Sequence, residues 1–364
     1  MKLLFYIHAL TGGGAERVMA ILMNAFIKEG HSVRVIYTYG TNVPKYELDK
    51  DIEQVYLNRE ENSTSLVSRA YKKIYKYYRI RKEAKTYNPD VAISFIRPNN
   101  NEVLLSLLGS GIPVVIGDHT NINRKYPLLM SLQSKILYPH ASAITMLTKR
   151  DYNIWKEKYK NVYYIPNPCD IPLIQPSGSR KKIVLAAGRV NQWHIKGFDN
   201  LMRAWSAIKD DYPEWKCQIA GDYSESALSE LRSMVTEEEF NSVEFLGFRS
   251  DIHELMTTSE IFCLSSRIEG MPMVLLEALS LGCACISYDC ISGPSEMIED
   301  GKTGVLVKDQ SVEELSLKLG ELIANKEKRE SFRETAPASI TRFSINNILV
   351  LWNQMFKEIT RRVD

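Results

Sequence analysis

No cysteine occurs before Cys169, and the six in the chain (Cys169, Cys217, Cys263, Cys283, Cys285, Cys290) include no C-x-x-C pair. That excludes a disulfide framework and a zinc knuckle. Several of these thiols fall in apolar, strand-like runs and are expected to be reduced and buried, as in the cytosol. No run of about 18 apolar residues is present, so no transmembrane helix is expected. The short apolar run Leu3 to Leu10 leads into Thr11-Gly12-Gly13-Gly14 without an A-x-A cleavage site. A signal peptide is therefore not expected, and the chain reads as cytoplasmic. Charge of one sign is also missing. The 46 Lys and Arg against 44 Asp and Glu leave +2, which argues against nucleic acid as the main partner. The remaining histidines (His8, His31, His140, His194, His253) show no metal-ligand spacing beside His119. Asp49-Lys50-Asp51 precedes a strand instead of following one and reads as a loop, so no metal site is expected. A complete G-x-G-x-x-G is absent too, because Arg17 stands at its third glycine, which weakens the case for a dinucleotide cofactor.

A length of 364 residues with 45% hydrophobic and 25% charged residues suits a soluble globular protein of two domains, and the alternation of strands and helices along it reads as α/β. Leu3 to Ile7 reads as a strand and Gly12 to Gly14 as a turn. Ala15, Val18, Met19, Leu22, Ala25 and Phe26 recur at helical spacing, and Val33 to Tyr37 is the next strand. This is a Rossmann-like opening, where ligands gather at the carboxyl ends of strands. Further strands are expected at Ile52 to Leu57, Val91 to Phe95 and Pro113 to Ile116. The last leads into Gly117-Asp118-His119-Thr120-Asn121 and places His119 just past a strand end. Between them, Ser65 to Tyr87 carries eight Lys and Arg interleaved with tyrosines and opposed only by Glu83. As a helix it suits an anionic lipid surface, with a solvated face or RNA as other readings. After a strand at Val162 to Ile165, Pro166, Pro168, Pro172, Pro176, Ser177 and Gly178 mark the break between domains.

In the second half, the strand Ile183 to Ala187 is followed by Gly188-Arg189, a polar loop and Lys196-Gly197. An amphipathic helix marked by Phe198, Leu201, Met202, Trp205 and Ile208 comes next. Two cations between a strand and a helix can hold a diphosphate. The stretch Ser266 to Glu277 carries the clearest chemistry. A buried strand, Ile261 to Leu264, precedes it, and a helix with Pro272 in its first turn is expected to follow, running to Gly282. Strand, glycine turn and helix aim free backbone amides at one point, an anion site. Glu269 and Glu277 are eight positions apart, about 2.2 helical turns, and therefore at different depths. Carboxylates beside a phosphate nest point to a polyhydroxyl ligand.

Glu269-Gly270-Met271-Pro272, Glu277 eight positions on, and Gly188-Arg189 with Lys196-Gly197 resemble the donor-site motifs of retaining glycosyltransferases of family 4. The resemblance covers nearly the whole chain and is strongest from Arg189 to Gly304. It implies two Rossmann-like domains facing across a cleft (the GT-B fold). Residues 1–168 would bind the acceptor, 169–340 the nucleotide-sugar, and 341–364 would form a helix packing back on the first domain. Arg189 and Lys196 would hold the donor diphosphate with the backbone of Gly270, Met271, Pro272 and Met273. Glu277 would accept from the ribose, Glu269 would hold the transferred sugar, and His119 would touch the sugar at the reaction centre. Gly13 and Gly14 would let the backbone approach the donor phosphate or the acceptor, and the segment at Phe248 would line the base pocket. The implied donor is a UDP-sugar, with guanine as the other base left open. No metal and no further cofactor are implied. The acceptor would be a glycan or a lipid-linked oligosaccharide, with residues 65–87 on the inner face of the plasma membrane. A nucleotide-sugar epimerase and a non-catalytic scaffold stand as alternatives.

Overall fold

A computed structural model of the chain describes residues 1–38, 46–57, 65–119, 125–171 and 179–361, and of 66–70 the backbone only. Thr120 and Asn121 of the His119 loop, and Pro172, Pro176, Ser177 and Gly178 of the linker, lie outside the described residues. The chain divides into two compact units, Met1–Pro168 with Ile345–Asp364, and Cys169–Ser344.

Unit 1 is built on β1 (Lys2–Ile7), β2 (Ser32–Tyr37), β3 (Glu53–Tyr56), β4 (Val91–Phe95), β5 (Val114–Gly117), β6 (Ala143–Met146) and β7 (Val162–Tyr164). All pair in parallel in the order β3-β2-β1-β4-β5-β6-β7. The central strands are continuous apolar runs because helices cover both faces of the sheet. Those helices include α1 (Gly14–Lys28), α2 (Leu66–Tyr87), α3 (Arg97–Leu107), α4 (Leu128–Leu137) and α5 (Lys149–Lys156). The last helix of the chain, Ile345–Thr360, buries Ile348, Leu349, Trp352, Met355, Phe356 and Ile359 on one face. That stripe lies on α1, where Phe26 meets the rings of Trp352 and Phe356 at 6.2 and 5.6 Å. Truncating a fully buried Trp such as Trp352 costs about 3–5 kcal/mol, enough to make this helix part of the unit 1 core.

Unit 2 holds β8 (Lys181–Ala187), β9 (Lys216–Ala220), β10 (Val243–Gly247), β11 (Ser259–Leu264), β12 (Ala284–Tyr288) and β13 (Val305–Val307), parallel in the order β10-β9-β8-β11-β12-β13. Both sheets thus share one winding, with a switch point between β1 and β4 in unit 1 and between β8 and β11 in unit 2. Ligands of such sheets bind at that crevice, beyond the carboxyl ends of the strands. The expected polar loop after Arg189 is largely helical. A 3-10 turn, Val190–Gln192, runs into α6 (Trp193–Lys196) and then α7 (Phe198–Ser206). Burial of Val190 and Trp193 in the unit 2 core drives this. All six cysteines are free and buried.

Candidate functional site

In unit 2, three strand ends are pressed together by glycines. A Cβ on Gly221, after β9, would lie 1.8 Å from the Gly188 carbonyl oxygen. The Gly221 amide donates to Gly247 O at 2.8 Å, and the Val190 amide to Asp222 O at 3.1 Å. Phe248, the next residue after β10, is 68% exposed at this edge.

The corner between α6 and α7 is stitched to the segment after β11. Gly197 adopts φ +63°, and a Cβ there would sit 2.0 Å from Ser265 O. Ser265 Oγ donates to Lys196 O at 2.9 Å, and the Arg267 amide to Ile195 O at 2.8 Å. The Arg267 guanidinium forks onto Asp199 at 2.8 and 2.7 Å and also reaches His194 O. Burial works against the Asp199 charge, but Arg267 and Arg203 more than reverse that, and its pKa falls. Neither Asp199 nor Arg267 stood out in the sequence, although Arg267 lies inside the central stretch and Asp199 two residues past Gly197.

This stitching brings two of the expected site residues together. Lys196 Nζ donates to Glu269 Oε1 at 2.8 Å, both side chains being largely buried. The Lys196 stem lies over Gly188, where a Cβ would come within 3.3 Å of it. Arg189 follows Gly188 and is half-buried, and its side chain makes no ion pair with a described residue. The helix carrying Glu277 spans Met273–Ser280, with Pro272 at the capping position before it and not in its first turn. Glu269 therefore sits in the preceding loop, and helical spacing does not set its relation to Glu277. Glu277 is only 1% exposed, with His253 Nε2 at 3.5 Å from Oε2. The turn at Gly293 (φ +106°) presses on the Gly270 to Pro272 loop, since a Cβ there would meet Gly270 O at 2.7 Å. First-turn amides of the Glu277 helix have no partner within the helix, as at any helix start.

Unit 1 contains the rest. The turn after β1 has Gly12 at φ +121° and Gly13 capping α1, of which Gly14 is the first residue. Glu16 reaches back, accepting from the Gly12 and Gly13 amides at 2.7 and 3.1 Å. His119 stacks on Phe95 with ring centroids 3.8 Å apart, and a Cβ on Gly117 would collide with both rings. The His119 ring nitrogens are buried. Burial pushes its pKa down to about 3, only partly opposed by the Asn167 side chain, so the imidazole is neutral. Beside it, Ile96 holds φ +71°, a conformation that strains a β-branched residue, and Arg97 pairs with Asp118 at 2.8 Å.

A second cluster in unit 1 was not foreseen. Glu102 on α3 accepts from His8 Nε2 at 2.9 Å, from Lys76 Nζ at 2.6 Å and from the Tyr6 hydroxyl. Burial favours its neutral form, but His8 and Lys76 outweigh this and hold its pKa down to about 2. Lys76, counted in the sequence with the surface charges of residues 65–87, is instead buried against α3 by this bond. Among the described residues no group of three or more His, Cys, Asp or Glu could hold a metal ion. No described helix is long and apolar enough to cross a membrane.

Residues 12–172 match the family model described as Glycosyltransferase Family 4, and residues 172–339 the model Glycosyl transferases group 1. The chain belongs to the GT-B glycosyltransferases. One relative, from Campylobacter jejuni, is named the GalNAc-α-(1→4)-GalNAc-α-(1→3)-diNAcBac-PP-undecaprenol α-1,4-N-acetyl-D-galactosaminyltransferase, and is 29% identical over 364 residues, 99% of each chain. The amylovoran biosynthesis glycosyltransferase AmsD of Erwinia amylovora is 28% identical over 369 residues, 97% of this glycosyltransferase and 99% of AmsD. Among solved structures, Anabaena HepE in complex with UDP and glucose superposes with a TM-score of 0.79 at 18% identity, covering 99% and 100% of the two chains. At that identity the likeness speaks for the fold.

Proposed function

We propose that this glycosyltransferase moves a hexose or N-acetylhexosamine, with retention of configuration, from a UDP-sugar to a hydroxyl of a glycan or lipid-linked oligosaccharide in surface polysaccharide assembly. The observation that carries this reading is the Lys196–Glu269 bond at the switch point of unit 2, beside Arg189 and the start of the Glu277 helix. Breaking the sugar–phosphate bond puts negative charge on the departing diphosphate. Arg189, Lys196 and the amides from Gly270 through Met271 to Met273, with Pro272 fixing the turn, take up that charge without a metal ion. Glu269, anchored by Lys196, accepts from hydroxyls of the transferred sugar, and Glu277 accepts from the ribose. The backbone at Phe248 lines the base. His119, neutral through its burial, hydrogen-bonds the sugar without adding charge. The turn at Gly13 and Gly14 takes the acceptor side, because Glu16 already occupies two of its amides and would repel a phosphate.

Relatives named for polyprenol-linked saccharides support a lipid-linked acceptor. The surface of unit 1 supports docking on an anionic membrane face. Tyr71, Ile74 and Tyr78 on α2 and Leu128, Leu129, Leu132 and Ile136 on α4 are exposed, beside the lysines of α2. The deciding experiment is a thermal-shift screen of UDP-, GDP- and ADP-sugars in EDTA. A ligand at about 100 times its Kd adds roughly 2.7 kcal/mol of stability. The UDP-sugar is then followed by NMR with and without acceptor. A retained anomeric configuration in a transfer product is expected, and conversion of donor without acceptor would establish an epimerase instead.

A further inference from the structure

A cavity of about 270 Å³ lies between α2, α3 and α4 of unit 1, and the donor chemistry leaves it unused. Leu105 of α3 and Met130, Ile136 and Leu137 of α4 give it an apolar wall. Asn101 and Glu102, which also line it, are spoken for within the protein. Asn101 Nδ2 donates to Met130 O at 3.3 Å and its Oδ1 accepts from Ser134 Oγ at 3.0 Å, while Lys76 and the Tyr6 hydroxyl donate to Glu102. Of the charged side chains on the lining, that leaves Lys73, exposed on α2. Such a lining suits an aliphatic chain that ends in an anion. At about 30 Å³ for each water-sized group the space holds roughly nine of them, which is one chain and not the two of a phospholipid. Its place in the fold says which chain. α3 starts just after β4, so Pro98 and Asn101 near its start bring the cavity to the carboxyl end of the sheet. There Glu102 also bonds to His8, the residue after β1, and so forms both a wall of the cavity and a side of the crevice where the winding reverses. In the other direction Ile136 carries the apolar lining on to the exposed Leu129 and Leu132 of the same helix. The groove thus joins the crevice of unit 1 to the face assigned above to the membrane.

We propose that this groove seats the near end of the single aliphatic chain on which a lipid-linked acceptor is carried, with the linking phosphate at Lys73. The saccharide then lies in the crevice, and the rest of the chain continues into the bilayer along α4. No bond is made or broken in the groove; it sorts acceptors by their carrier and favours a lipid-linked saccharide over a free glycan. The inference rests on the glycosyl-transfer reading above and narrows its two acceptor classes to one.

The probes are dimethylallyl, geranyl and farnesyl phosphate, single chains that lengthen by one five-carbon unit at a time, titrated by calorimetry without any membrane. Geranyl phosphate is expected to bind at least about tenfold more tightly than dimethylallyl phosphate, since each buried CH₂ alone is worth about fourfold. The step from geranyl to farnesyl should be smaller, because the cavity is then full. Leu105→Trp and Met130→Trp fill the groove from α3 and from α4 without touching the donor site. Leu105 is exposed, so its replacement leaves the core of unit 1 intact. Both variants should lose about tenfold or more in affinity for geranyl phosphate, with Tm and the Kd for UDP unchanged. Geranyl phosphate bound equally well by folded Leu105→Trp and by the parent overturns the proposal, since a chain lying only on the outer face of α4 would not notice the filled cavity. Dihexanoyl phosphatidylglycerol displacing geranyl phosphate at equal concentration would give the groove to a membrane lipid and overturn the acceptor assignment. A parent protein that binds geranyl phosphate as expected but neither binds nor turns over any UDP-sugar sinks the transfer reading instead, and the acceptor assignment with it.

Discussion

Lys196 and Glu269, 73 residues apart in the chain, meet through a 2.8 Å hydrogen bond at the carboxyl ends of β8 and β11. The bond joins the residue assigned to the leaving diphosphate to the one assigned to the transferred sugar, so the two act as a unit.

Lys196→Ala is expected to lower kcat by roughly 10²–10³, the range for loss of one donor to developing negative charge. Glu269→Ala is expected to fall in the same range, since it removes the sugar contact and frees Lys196 to move. Because the pair is in direct contact, the double variant should lose less than the sum of the two losses, with a coupling of about 0.5–3 kcal/mol. Steady-state kinetics on all four proteins tests this. Strict additivity would mean that the bond plays no part in turnover.

Gly197→Ala is expected to damage the site without touching a charged group. Its φ of +63° costs an L-residue roughly 1–2 kcal/mol, and the added methyl would be driven onto Ser265 O. Relief requires α6 to separate from the segment after β11, which pulls Lys196 from Glu269. Thermal unfolding should show a lowered Tm and calorimetry a weakened UDP affinity. A variant with lowered Tm but intact UDP binding would uncouple this corner from the donor site.

Much of this site was legible as sequence because strand-end motifs are local. Gly188-Arg189, Lys196-Gly197 and Glu269 to Glu277 each sit within a few residues of a strand whose apolar run announces it. The contacts among them were not legible. That Lys196 meets Glu269, or Arg267 meets Asp199, depends on which strands neighbour each other, and β8 pairs with β11 although β9 and β10 intervene in chain order. The Glu102 cluster was hidden for the same reason, since Tyr6, Lys76 and Glu102 are brought together only by α2 and α3 packing on the sheet. Pro272 was misplaced by one turn position because proline fits both a helix cap and a first turn. The basic, tyrosine-rich character of α2 was visible, but the apolar face of α4 was overlooked for want of a charge pattern to mark it.

That α4 face gives a third prediction. Leu132→Glu with Ile136→Glu should weaken binding to phosphatidylglycerol vesicles about tenfold or more, since each buried aliphatic side chain is worth roughly 1.5–3 kcal/mol. Replacing Lys73 and Lys82 on α2 with Gln should lower binding at 0.1 M salt and leave little difference at 1 M, where the screening length is about 3 Å. Cosedimentation with phosphatidylglycerol and with neutral phosphatidylcholine vesicles measures both. Equal binding to the two lipids by the parent protein would remove the electrostatic part of the membrane proposal.

The buried imidazole of His119 sets a pH dependence whose sign can be worked out. Its folded pKa is pushed down from 6.5 to about 3 by burial, so between those values the unfolded chain binds a proton that the native state does not. Stability therefore rises with pH across this window and is lost as pH falls from 6.5 towards 3, by at most about 1.4 kcal/mol per pH unit. Glu102 acts in the same direction, but only below its ordinary value of 4.5, and His31, also lowered by burial, adds a smaller part of the slope. Urea midpoints between pH 6.5 and 5 should thus fall for the parent protein and fall less steeply for His119→Gln. Glu102→Gln should alter the dependence only below about pH 4.5. The His119 ring proton, followed by NMR, should show no titration near pH 6.5. A midpoint there would mean that the ring is charged under working conditions, and the neutral hydrogen-bonding role given to it at the sugar would have to be abandoned.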